Sequence, residues 1–150
     1  MKKRLVLAFI LLGCIGLPPV TDIQSPFQAK TNASPQNKPA LAFTEVIKQS
    51  LSDPELKDYD LVSSVMEVPA GFADSIKHRH DAELFGYVLE GSVEIQLEEK
   101  NIVTYEQGKM FYEPRNTVHS LLRNRNETKP AKVLLIFVIK KGRPSYTPVK

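Results

Sequence analysis

Cysteine is almost missing from this chain. Cys14 is the only one, so no intramolecular disulfide can form and the fold has to hold through its core alone. Long hydrophobic runs are scarce as well. The apolar stretch Leu5 to Leu17 falls short of the roughly 20 apolar residues that a membrane-spanning helix needs. Charge of one sign is also lacking. The formal net charge is +3, and without Lys2, Lys3 and Arg4 it falls to zero. Nothing strongly basic is then left to attract a phosphate backbone, which argues against a nucleic-acid partner. The chain shows no glycine-rich phosphate loop, no internal repeat, and no serine or cysteine nucleophile paired with a histidine. Histidine itself occurs only three times, as His78, His80 and His119.

What is present divides into three parts. A chain of 150 residues, 42% hydrophobic and 25% charged, suits one soluble domain of ordinary size. Its beginning differs from the rest. Lys2-Lys3-Arg4 followed by an apolar run has the n-region and h-region of an export signal, over residues 1–17. Leu11-Leu12-Gly13-Cys14 resembles a bacterial lipobox, in which the cysteine receives lipid. The competing reading is an incidental cysteine in a cleaved signal, and both stay open. Residues 18–40 carry five prolines among polar and small residues. With few large apolar groups to offset chain entropy, this stretch reads as a disordered, extended linker. The expected location is extracytoplasmic, periplasmic or secreted, with any membrane attachment made by lipid only.

From residue 41 to 150 the pattern is that of a β domain. Leu41 to Leu51 reads as a strand, because Thr44, Val46 and Ile47 are β-branched. Ser52 to Glu55 is a turn, and Leu61 to Val68 a strand stopped by Pro69-Ala70-Gly71. Val93, Ile95 and Leu97 alternate with polar neighbours, so one face is core and the other solvent. Met110 to Tyr112 is brief and is stopped by Pro114, and Glu113 is expected to be exposed, at a turn or on the outer face. Val118 to Arg123 carries His119. Val133 to Ile139 lacks alternation, so both its faces are expected to be covered. Lys140 to Lys150, with two prolines, is expected to pack loosely over a barrel end. Many short strands separated by turn signals indicate a sandwich or barrel.

The histidines give the pattern its chemistry. On an extended chain, side chains at i and i+2 point to one face, so His78 and His80 project together. Gly71, His78, His80, Glu83 and Gly91 resemble the first motif of the cupin superfamily. Gly108, Pro114 and His119 resemble its second motif, in effect G-x5-P-x-G-x2-H, with Asn116 where glycine is usual. Finding both motifs in order is a specific signal. The resemblance covers roughly residues 60 to 148 and implies a double-stranded β-helix, the jelly-roll barrel, in which the His78–His80 strand lies beside the His119 strand.

The same resemblance implies a metal site. Its ligands would be His78, His80, His119 and Glu83, and its occupant a divalent metal such as Mn, Fe, Ni, Cu or Zn. One departure bears on the carboxylate. The commoner family position is Leu84 here, and Glu83 is one residue early. A shift of one residue along a strand turns a side chain to the opposite face. Glu83 can therefore turn inward only if Asp81-Ala82-Glu83 is still loop, which its poor strand propensity favours. Phe72, Phe85, Tyr87, Met110, Phe111 and Tyr112 are candidate pocket walls, though aromatics in a barrel are more often core. Three functions fit: a metal-binding barrel with a pocket for a small-molecule ligand, a metal-dependent oxygenase acting on a small-molecule substrate, and a non-catalytic barrel that forms a homodimer. Fold alone does not choose among them.

Overall fold

Eleven strands and no helix make up the described residues, 40–150 of a computed structural model. They run β1 (Ala42–Ser50), β2 (Tyr59–Val68), β3 (Ala73–Asp74), β4 (His78–Arg79), β5 (Ala82–Glu90), β6 (Ser92–Leu97), β7 (Val103–Glu106), β8 (Met110–Glu113), β9 (Val118–Arg123), β10 (Ala131–Lys140) and β11 (Thr147–Pro148). Two antiparallel sheets result. One has the order β1-β2-β10-β5-β8; the other runs β11-β4-β9-β6-β7, with β3 also paired to β9. The export signal, the lipobox with Cys14 and nearly all of the linker lie outside the described residues.

The turns occupy backbone conformations that few residues tolerate. Gly91, between β5 and β6, has φ +73°. Asn116 has φ +63°. Asparagine is one of the few non-glycine residues that enter the left-handed region readily, so it can replace the glycine usual at this point of the second motif.

Val68, Val88, Val93 and Val133 are completely buried, and Met66, Leu84, Ile95 and Leu135 belong to the same core cluster. Asn124 is equally buried, and its amide donates to the carbonyls of Val68, Pro69 and Lys129, tying three loop carbonyls together. Gly86 on β5 lies directly under Phe111 on β8, its cross-strand neighbour. A Cβ at Gly86 would come within 2.0 Å of the Phe111 ring, so only glycine lets that ring lie flat against the strand.

Three expectations change. β5 begins at Ala82 rather than after Glu83. β10 buries Ala131, Val133, Leu135 and Ile139 on one face, while Phe137 on that face and Lys132, Leu134 and Ile136 opposite are half covered. Residues 140–150 do not pack loosely over a barrel end: β11 adds to the edge of the second sheet beside β4.

Candidate metal centre

His78 and His80 stand on a very short piece of sheet. β4 has two residues, paired to β9 on one side and to β11 on the other. His78 is the direct cross-strand partner of His119. Their rings stack with centroids 4.9 Å apart, and the His80 ring stands edge-on to His78 at 5.1 Å. One ring nitrogen each from His78, His80 and His119 lie within 4.8 Å of one another, close enough for one ion to bridge.

His119 reaches the interior because β9 carries a bulge. Against β6 the register moves from Gln96↔Leu121 to Leu97↔His119, leaving Ser120 as the extra residue. The Ser120 hydroxyl donates to the carbonyls of Gln96 and Glu98 and holds the bulge in place. Plain alternation would put His119 on the same face as Leu121. The bulge instead places both His119 and Leu122 inside, each buried.

Each imidazole has one nitrogen already engaged. His78 Nδ1 faces the Ile76 carbonyl at 2.9 Å, His80 Nδ1 the Ser145 carbonyl, and His119 Nδ1 the Glu113 carboxylate at 3.1 and 3.3 Å. These partners are acceptors only, so each Nδ1 carries the proton and donates. The Nε2 atom of each ring therefore keeps its lone pair free for a ligand. His119 Nε2 is buried and has no hydrogen-bond partner among the described residues. A buried acceptor left without a partner is costly, and a metal ion would satisfy it. Three neutral imidazoles with fixed tautomers fit a borderline divalent ion. Burial also lowers the His78 pKa below the ordinary imidazole value, which favours the neutral, ligating form.

The carboxylate is not where the sequence suggested. Glu83 sits on a continuous strand and points to the outer face, where it accepts from the Tyr112 hydroxyl and the Arg115 amide. It does not line the cavity and is not part of the histidine cluster. The reason is the early start of β5: once Ala82 and Leu84 are inward, Glu83 has to be outward. Glu113, expected to be exposed, is only 2% exposed and faces the cavity. Its Oε2 lies 3.9 Å from His80 Nε2 in addition to the contact with His119. Glu113 is also the cross-strand partner of Leu84. The carboxylate therefore sits across the ladder from the position that the first motif more commonly uses. A signal for it was present, since Phe111 and Glu113 are two apart on one strand and share a face.

The cluster opens on a cavity of about 880 Å³. Its walls are largely apolar, among them Val62, Met66, Leu84, Phe111, Leu135 and Phe137, and exposed Lys48, Lys140 and Lys141 lie at its border. Of the six expected wall residues only Phe111 lines it. Phe72 is in the core, Phe85 and Tyr112 stack on the outer face with centroids 5.0 Å apart, and Tyr87 and Met110 are exposed.

Comparison with known proteins agrees with this architecture. The cupin domain family matches residues 64–137. No curated protein matches the sequence. A conserved protein with a double-stranded β-helix domain from Klebsiella pneumoniae is 14% identical with a TM-score of 0.56, covering 78% of this chain and 90% of that one. KdgF from Halomonas sp. is 20% identical with a TM-score of 0.53, covering 70% of this chain and 85% of that one. The DMSP lyase DddQ from Ruegeria pomeroyi is 22% identical with a TM-score of 0.50; the match covers 58% of this chain and only 42% of the lyase. At these identities the likeness concerns the fold. With the family match and two antiparallel sheets carrying both histidine motifs, the chain belongs to the cupin superfamily.

Proposed function

We propose that the protein binds a divalent transition metal through Nε2 of His78, His80 and His119 and uses the adjoining cavity to hold a small organic molecule against it. One observation carries the reading. Every Nδ1 is committed to an acceptor, which leaves each Nε2 lone pair available in a cluster whose ligand nitrogens lie within 4.8 Å of one another, and His119 Nε2 is buried without a partner among the described residues. Glu113 is the positioning carboxylate of the site, orienting His119 and supplying negative charge beside it. Three imidazoles would leave positions open on a metal of higher coordination number, and the histidines themselves line an apolar cavity large enough for a small molecule. Elemental analysis of the purified protein tests the reading. Replacing any one of the three histidines with alanine is expected to reduce bound metal sharply, and stoichiometric metal in all three variants would refute the site.

A second reading is a metal-dependent enzyme, an oxygenase on a small-molecule substrate. The open positions beside the cavity favour it, and Glu113 is the buried acid–base group such a reaction would have at hand. Oxygen uptake by the metal-loaded protein with candidate substrates separates the two, because a binding module shows metal without turnover. The basic start and apolar run support export of the barrel, and Leu11 to Cys14 supports a lipid anchor.

A further inference from the structure

Residues 143–149 touch the histidine-bearing segment 77–81 at almost every position. Arg143 pairs with Asp81 at 3.4 Å. The Ser145 carbonyl accepts the His80 Nδ1 proton. The Tyr146 ring stacks on His78, with centroids 4.5 Å apart. Thr147 and Pro148 pair with Arg79 and His78, and the Val149 amide donates to the Lys77 carbonyl at 2.9 Å. Without this segment the two-residue β4 would be an edge strand held from the β9 side only. The three histidines do not depend on it equally. The Nδ1 proton of His78 is held by its own chain at Ile76, and that of His119 by Glu113. Among the three Nδ1 protons, that of His80 alone is held by residues 143–149.

We propose that segment 143–149 is a strap that sets the tautomer of His80, so that docking of the strap and loading of the metal are coupled. Ser145, through its backbone carbonyl, and Tyr146, through its ring, are positioning residues. The functional half of this inference rests on the metal reading above; the structural half rests on the hydrogen bonds alone. Coupling is reciprocal. If the docked strap favours the metal, then the metal favours the docked strap by the same factor.

The test compares the full chain with a chain ending at Arg143 and with Val149→Pro, which removes one ladder donor while leaving every cavity side chain in place. Zn(II) affinity is measured by competition with a chelator. In the metal-free proteins, ring ¹⁵N chemical shifts at about pH 8.5, where imidazole is neutral, report which nitrogen of each histidine carries the proton. Loss of an outer-shell partner typically costs 10–100-fold in metal affinity. The shortened chain is expected to show that loss, with Val149→Pro intermediate. His80 should become a mixture of tautomers while His78 and His119 stay protonated on Nδ1. In the full chain, Zn(II) should slow hydrogen exchange at the Val149 amide. Tyr146→Ala should weaken binding, and Tyr146→Phe should restore it, because the stack needs the ring and not the hydroxyl. An unchanged His80 tautomer together with wild-type affinity in the shortened chain would overturn the proposal. If that chain does not fold, the same result in Val149→Pro overturns it. If the full chain takes up no metal, the metal reading fails, and the ring spectra still decide whether the strap sets His80.

Discussion

Replacing Glu113 separates its two contributions, the hydrogen bond to His119 and the negative charge. The carboxylate is 2% exposed and accepts the His119 Nδ1 proton with both oxygens. Glu113→Leu deletes the only acceptor that Nδ1 has among the described residues and leaves a buried donor unpaired, at a cost of about 1–3 kcal/mol. A metal on Nε2 makes the Nδ1 proton more acidic, so the acceptor matters more in the loaded state than in the empty one. The expected loss of affinity is therefore about 10–100-fold, equivalent to about 1.4–2.7 kcal/mol. Glu113→Gln keeps an oxygen that can accept from Nδ1 and removes only the charge, so it should fall between wild type and leucine. A third variant uses the ladder. Leu84 and Glu113 are direct partners with both side chains inward. Cβ atoms of such a pair are about 5 Å apart. The double exchange Leu84→Glu with Glu113→Leu returns the charge to the cavity at the position commoner in the superfamily, without the bond to His119. It should recover part of the affinity lost in Glu113→Leu. Chelator competition with Zn(II) reads all four proteins, and denaturant unfolding without metal checks that each is folded. Wild-type affinity in a folded Glu113→Leu would refute the role given to this carboxylate.

Three further outcomes are expected. Burial lowers the His78 pKa below 6.5, so the unfolded chain takes up a proton there before the folded one does. Stability without metal is then fully present above about pH 6.5 and falls as the pH drops toward the lowered value, because the unfolded state binds more protons. His78→Gln should flatten this slope in pH-dependent unfolding, and an unchanged slope would contradict the assignment. Gly86→Ala should destabilise the barrel by about 1–3 kcal/mol, since its Cβ would lie 2.0 Å from the Phe111 ring; an unfolding midpoint equal to wild type would show that the ring moves freely. Fractionation of cells making wild type and Cys14→Ser should place the wild type with membranes and remove its lipid label in the variant; wild type found soluble outside the cytoplasm would refute the anchor.

Much of the barrel was legible because its strands obey short-range rules. Val118–Arg123 was readable to the residue, and β1 was recognisable from Thr44, Val46 and Ile47. Alternation failed where the ladder departs from it. Glu94 lies on the face expected to meet solvent, yet it is buried beneath Arg123 and Arg125, which pair with it. Low strand propensity in Asp81-Ala82-Glu83 suggested a loop. The pairing of Ala82 with Ile139 and Glu83 with Val138 draws those residues into β5 instead, so tertiary pairing overrode a weak local preference. Glu113 looked like a turn residue because Pro114 follows it, but the strand persists one residue further and carries it inward with Phe111.

Sequence separation explains which parts of the site could be read. His78 is oriented by a carbonyl two residues away, His119 by a carboxylate six residues away, and His80 by a carbonyl 65 residues away. The first contact lies within one extended segment and follows from local geometry. The second spans the β8–β9 turn, so the alternation of β8 and the Ser120 bulge must both be known before Glu113 and His119 can be brought together. The third joins a motif near the middle of the domain to backbone 65 residues on, and a backbone carbonyl leaves no trace in residue identity. Side-chain motifs thus locate the three imidazoles, while the partners of the His119 and His80 protons become visible only once both sheets are assembled. On the proposed metal reading, a substitution that keeps all three histidines is expected to weaken the site by freeing an Nδ1, either at Glu113 or in the strap carrying Ser145.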